Sequence, residues 1–171
     1  MGPGIRGNSA SPSKRPAVST HTIRFELNGE RREMTVPANR LLIDLLRDEL
    51  QLFGTKEACS VGVCGVCSVL VDGKMLSSCL LPAVFVDGAC VTTVEGLSEP
   101  GALTAVQEAF IRRGGFQCGI CTPGQIVAAT ALLAENEKPS RDEIREWMMG
   151  NLCRCTGYEQ IVEAIETAAN A

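Results

Sequence analysis

A single histidine, His21, is all the imidazole this sequence has. It stands at the edge of an N-terminal arm, where a solvated side chain is the ordinary role and a general base is not. No G-x-G-x-x-G fingerprint is present, so neither a flavin nor a nicotinamide finds its phosphate loop here. No apolar run approaches the roughly 18–20 residues of a membrane span. Positive charge is not in excess: 16 Lys and Arg stand against 20 Asp and Glu, a net of −4. That balance argues against nucleic acid as a partner. The 171 residues therefore offer little for substrate chemistry, nucleotide binding, membrane insertion or nucleic-acid recognition.

Residues 1–20, "MGPGIRGNSASPSKRPAVST", contain no Asp or Glu, three cations (Arg6, Lys14, Arg15) and much Gly, Pro and Ser. They lack the apolar core of a secretory signal and any twin-arginine pair. Their composition predicts a disordered arm, or one that orders only against a partner subunit. Without a leader, the expected location is the cytoplasm.

What the sequence does have is cysteine, nine of them. A reducing compartment keeps thiols free, and an odd number cannot pair completely within the chain. Metal ligation is the leading explanation, and spacing decides the metal.

The organisation around the cysteines is α+β. "HTIRFEL" alternates Ile23, Phe25 and Leu27 with polar residues, Asn28-Gly29 signals a type I′ hairpin, and "ERREMTV" returns. "RLLIDLLRDEL" puts Leu41, Leu42, Leu45, Leu46 and Leu50 on one helical face. A second hairpin turns at Asp72-Gly73, and a short strand follows at Cys90–Gly96. After a "SEPG" linker (Ser98–Gly101) the pattern turns helical. Leu103, Val106, Phe110 and Ile111 share a face that Gly114-Gly115 ends. Thr122 is the expected N-cap of a helix with Pro123 in its first position. Ser140–Glu143 and Thr156–Glu159 read as capping boxes for two more helices. Four short antiparallel helices predict a small bundle. The expected divisions are 1–20 arm, 21–97 strand-rich domain and 98–171 helical domain.

Cys59, Cys64, Cys67 and Cys79 read C-x4-C-x2-C…C, the plant-type [2Fe–2S] spacing. Three thiols lie in one loop, "CSVGVCGVC", whose Gly62 and Gly65 permit positive φ and bring amides near sulfur. The fourth lies where the second hairpin returns. A zinc site is the alternative, although zinc favours two separated Cys pairs. Cys118 and Cys121 form a second set with Cys153 and Cys155. Residues i and i+2 of a helix point apart, so the C-x-C pair must lie in a loop. Both pairs run on in parallel, "CTPGQIVAA" and "CTGYEQIVEA", so two related loops each feed a helix N-terminus. That end favours an anionic thiolate cluster; a zinc knuckle is again the alternative. Cys90 remains, and is expected to be a buried strand thiol.

"CSVGVCGVCSVLVDG", "FQCGICTPGQI" and "NLCRCTGY", in this order, resemble the small iron–sulfur subunit of the molybdenum hydroxylases, the xanthine oxidase family. That group includes bacterial carbon monoxide dehydrogenase, quinoline oxidoreductase, nicotine dehydrogenase and 4-hydroxybenzoyl-CoA reductase. The resemblance spans residues 22–168. It implies a plant-ferredoxin-like β-grasp domain holding one [2Fe–2S] cluster through Cys59, Cys64, Cys67 and Cys79. It implies a four-helix domain holding another through Cys118, Cys121, Cys153 and Cys155. Gln117 and Cys155 would contact the molybdenum–molybdopterin cofactor, in its cytosine dinucleotide form, on a large subunit. Electrons would leave through the ferredoxin-type cluster to a medium FAD-binding subunit, within a dimer of heterotrimers. Gln125 stands where an apolar residue, often Met, is expected, and implies a modest packing change. The competing expectation is a standalone two-cluster carrier or a zinc-stabilised interaction module.

Overall fold

The computed structural model describes residues 18–171; the arm expected over residues 1–20 lies outside the described residues as far as residue 17. Strand β1 (Thr20–Leu27) pairs antiparallel with β2 (Glu30–Pro37). Asn28 and Gly29 both take positive φ, 52° and 83°, as a type I′ turn demands. The alternation read from the sequence holds: Ile23, Phe25 and Leu27 are buried and their neighbours exposed.

The second hairpin joins β3 (Ser68–Val71) to β4 (Lys74–Ser77) through Asp72 and Gly73, again both at positive φ. Strand β5 (Cys90–Thr92) lies parallel to β1 and antiparallel to β3. The five strands therefore run β2-β1-β5-β3-β4. Helix α1 (Leu42–Asp44) widens into a π-helical turn (Leu45–Glu49) instead of continuing as a regular α-helix. Leu42, Leu45 and Leu46 on this segment are fully buried in the sheet core with Val36, Val69 and Val91. Each such side chain contributes about 1.5–3 kcal/mol over an exposed one. Leu41 and Leu50 are only half-buried.

Cys90 corrects an expectation. It is exposed, and Val91 takes the inward place. Successive strand residues face opposite ways, and here the core lies on the side of Val91.

The second half holds helices α2 (Ala105–Arg113), α3 (Thr122–Glu135), α4 (Arg141–Met148) and α5 (Glu159–Ala169) around a shared core of Phe110, Ala129, Ile144, Met148, Ile161 and Ile165. Leu103 and Ile111 fall outside that core and are exposed; Val106, Ala109 and Phe110 form the inward face of α2. Gly114, at φ 64°, closes α2 as its left-handed cap. Ser140 and Glu143 form the expected capping box, and an unforeseen one starts α2 at Thr104 and Gln107. Among the described residues no helix is long and apolar enough to cross a membrane.

Candidate metal centres

The loop Cys59–Cys67 leads into β3 through a chain of bends. Gly62 (φ 76°) and Gly65 (φ 65°) turn it where no other residue fits comfortably. A Cβ on Gly62 would lie 2.2 Å from Leu80 Cδ1, so the loop is pressed against the segment that carries Cys79. That segment is anchored in turn: Ser78 N and Oγ both donate to the Cys67 carbonyl, at 3.3 and 2.7 Å. The hairpin thus returns Cys79 to Cys67, as its geometry predicted.

The four thiols of this group act on one another's ionisation: Cys64 on Cys59, and Cys67, then Cys59, on Cys79. The amides of Val61 and Val63 point at the Cys59 sulfur, and with Cys64 they lower its pKa to about 6. Burial pushes Cys64 up, and pushes Cys79 to about 11 with help from the Cys67 and Cys59 sulfurs. Cys59 is half-buried; the other three are buried.

The second group comes from two loops, as expected. Cys155 and Cys118 are both exposed, their sulfurs 3.6 Å apart. Cys121 and Cys153 are both buried and act on each other's ionisation. Cys121 is pushed to about 12 by burial, then by the Cys153 sulfur. Burial acts on Cys153 too, but the Thr156 hydroxyl and amide and the Cys155 amide outweigh it, and the net direction is down. Contact with Cys118, then burial, raises Cys155. Among the described residues no three His, Cys, Asp or Glu side chains converge on a single metal-ion position.

Both threonines beside this group behave differently from the expectation. Thr122 is the first residue of α3, not its cap, because Cys121 has already adopted helical backbone angles. Its Oγ1 is buried and has no partner among the described residues. Thr156 caps nothing: α5 starts at Glu159 after Tyr158 in the left-handed region. Its hydroxyl lies 3.1 Å and its amide 3.4 Å from Cys153 Sγ, and the hydroxyl oxygen accepts from Tyr158 N at 3.2 Å. Sulfur three residues back has won the hydroxyl from the helix end.

Gln117 is exposed beside Cys118, and Arg154 is exposed between the two ligand candidates of its loop. Gln125 does more than alter packing: fully buried, it donates to the Asn151 carbonyl at 2.7 Å. Asn151 was missed by sequence reasoning, and only its place two residues before the C-x-C pair could have drawn notice.

Residues 25–95 match the 2Fe-2S iron-sulfur cluster binding domain, and residues 93–166 match the [2Fe-2S] binding domain. The chain is 47% identical to the nicotine 6-hydroxylase small subunit of Paenarthrobacter nicotinovorans, over 91% of this chain and 90% of that one. It is 45% identical to the xanthine dehydrogenase iron-sulfur-binding subunit of Escherichia coli O157:H7, over 85% of this chain and 92% of that one. This chain belongs to the iron–sulfur small subunits of the xanthine oxidase (molybdenum hydroxylase) family. The fold agrees: quinoline 2-oxidoreductase from Pseudomonas putida 86 superposes with a TM-score of 0.86 at 47% identity, covering 89% of this chain and 95% of that one. Each family domain brings one of the two thiol groups described above, and the boundary between the matches falls at residues 93–95.

Proposed function

We propose that the chain is the electron-transferring subunit of a heteromeric molybdenum hydroxylase. Cys59, Cys64, Cys67 and Cys79 would hold one [2Fe–2S] cluster, and Cys118, Cys121, Cys153 and Cys155 another. The observation that carries this is the convergence of each group's thiols from separate segments of the chain. Ser78 ties the segment carrying Cys79 to the Cys67 carbonyl, and the Cys118 and Cys155 sulfurs, from two separate loops, lie 3.6 Å apart. A binuclear centre asks for two thiolates at each iron. Amides aimed at Cys59 and Cys153 favour the deprotonated ligands that metal binding requires.

A bound [2Fe–2S] cluster supplies one-electron chemistry that no side chain in this sequence offers. The protein's part is to bind, insulate and orient. The exposed Cys118/Cys155 pair, with Gln117 beside it, would face the molybdenum–pterin cofactor of a large subunit. Phe116, Ile120, Met149 and Leu152, near the second group in sequence, are exposed, as are Val61, Val63 and Leu80 near the first. Exposed apolar side chains beside each group suit two protein neighbours. The second would be a medium FAD-binding subunit. The finer descriptions belong to the same proposal: a β-grasp domain over 21–97 after an arm over 1–20, a four-helix bundle over 98–171, a cytosine dinucleotide pterin, a dimer of heterotrimers, and a cytoplasmic location.

Metal analysis of the natively purified complex tests this. About four irons and about four acid-labile sulfides per chain are expected. Stoichiometric zinc without sulfide overturns the cluster assignment. Cys155→Ser should abolish the EPR signal of the helical-half cluster and preserve the ferredoxin-type signal; survival of both overturns the ligand set. Copurification without any molybdenum- or flavin-containing chain would favour a standalone carrier.

A further inference from the structure

Between the two thiol groups lies a seam where three stretches of backbone meet. Gly65 sits between Cys64 and Cys67, Gly124 in the first turn of α3 behind Cys121, and Gly150-Asn151 ahead of Cys153. A Cβ on Gly65 would lie 2.4 Å from the Gly150 carbonyl oxygen, and one on Gly124 would lie 2.4 Å from the Gly65 carbonyl oxygen. The approach is therefore as close as backbone allows. Asn151 fills the middle and is buried. Its Nδ2 lies 2.9 Å from the Gly65 carbonyl, 3.2 Å from the Gly124 carbonyl and 3.4 Å from Ser68 Oγ. Its own carbonyl accepts from Gln125 Nε2 at 2.7 Å, and the next amide, Leu152 N, donates to the Cys64 carbonyl at 2.9 Å. One side chain thus ties the loop of the first group to both loops of the second.

The arrangement is poor as a device for stability. Gln125 Oε1 and Asn151 Oδ1 are both buried and have no protein partner among the described residues, and burying a polar acceptor costs free energy that an apolar side chain does not incur. An apolar side chain of Gln125's shape would serve the fold as well. What the two amides add is direction: each bond fixes where one backbone segment sits relative to another.

We propose that Asn151, held by Gln125, is a positioning residue that fixes the separation and relative orientation of the two thiol groups. It acts on electron transfer by setting the geometry between two centres, not by ligating either. This rests on the two-cluster function proposed above.

The test uses the full chain in its native complex, chemically reduced and read by EPR. Two nearby paramagnetic clusters split each other's signals and hasten each other's spin relaxation, and the interaction falls with the cube of their separation. Iron and sulfide content tests the two-cluster function; the interaction tests the positioning role. Asn151→Ala is expected to retain both signals with a changed splitting and relaxation. Gln125→Met leaves Asn151 in place but frees its carbonyl, and is expected to retain both clusters and change the same interaction by less. Splitting and relaxation identical to wild type in Asn151→Ala overturn the role. Should Asn151→Ala shed a cluster, Gln125→Met decides: an altered interaction supports the role and an unaltered one overturns it. A wild-type complex with two clusters but no mutual interaction overturns it as well.

Discussion

Gly124→Ala should destabilise this protein, against the usual effect of the substitution in a helix. Alanine is ordinarily better than glycine in a helix interior by about 1 kcal/mol. Here the new Cβ would meet the Gly65 carbonyl oxygen at 2.4 Å and the Val66 carbonyl oxygen at 2.9 Å, whereas ordinary contact begins at 3.4 Å. The obstacle is backbone on both counts, so no side chain can swing aside. The seam must open by about 1 Å, which costs roughly 1–3 kcal/mol as overpacking. That displacement also takes the Asn151 bonds to the Gly65 and Gly124 carbonyls, now 2.9 and 3.2 Å, beyond useful length, at about 1 kcal/mol each. After subtracting the helical gain, the net loss is about 2–4 kcal/mol. At about 2–4 °C per kcal/mol for a chain of this size, the midpoint should fall by about 5–15 °C. Thermal denaturation of the holoprotein measures this, with Gly150→Ala as the control. A Cβ on Gly150 meets nothing within 4 Å and its φ is not in the left-handed region, so that variant should hold or gain about 0.4–1 kcal/mol. Equal midpoints for the two variants would refute the close-approach argument.

Thr156→Val removes the hydroxyl donated to Cys153 Sγ; an EPR-monitored redox titration should show the helical-half cluster harder to reduce, with the other cluster unmoved. Gln117→Ala should retain both cluster signals and lower turnover of the assembled enzyme, and unchanged turnover removes Gln117 from the contact with the pterin. The Ser140 hydroxyl and amide hold the Glu143 carboxyl below its usual range. A carboxyl with a lowered folded pKa stabilises while ionised, and that share is lost as pH falls through the folded value. Urea midpoints of wild type and Glu143→Gln should therefore differ at neutral pH and converge in acid.

Both hairpins were legible because Asn28-Gly29 and Asp72-Gly73 satisfy a backbone requirement that few other pairs meet. The two thiol groups were legible because ligand spacing is chemistry written along the chain. The threonines were not. Thr156-x-x-Glu159 is a correct capping-box string, yet a sulfur only three residues away competes for the hydroxyl, and no string reports which acceptor is nearer. Cys90 failed through parity: "CVTTV" alternates equally well in either sense, and only its pairing with β1 and β3 turns Val91 inward. Asn151 was invisible because its partners lie 27 and 86 residues away. Gln125 was seen as a departure from the expected apolar residue, but a departure does not say what it binds.

Cys64 and Val66 belong by sequence to the strand-rich half, yet they are packed in the same core as Phe110, Ile144 and Ile161 of the helices. The modular look of the chain, one cluster motif after another, is thus not matched by a separable interior. Severing it near residue 97 would uncover Val66 and deprive the Gly65 carbonyl of Asn151. A graft of either half onto a foreign redox protein would need to carry part of the other's surface with it. The two motifs are old-fashioned neighbours in sequence and a single piece of architecture in space.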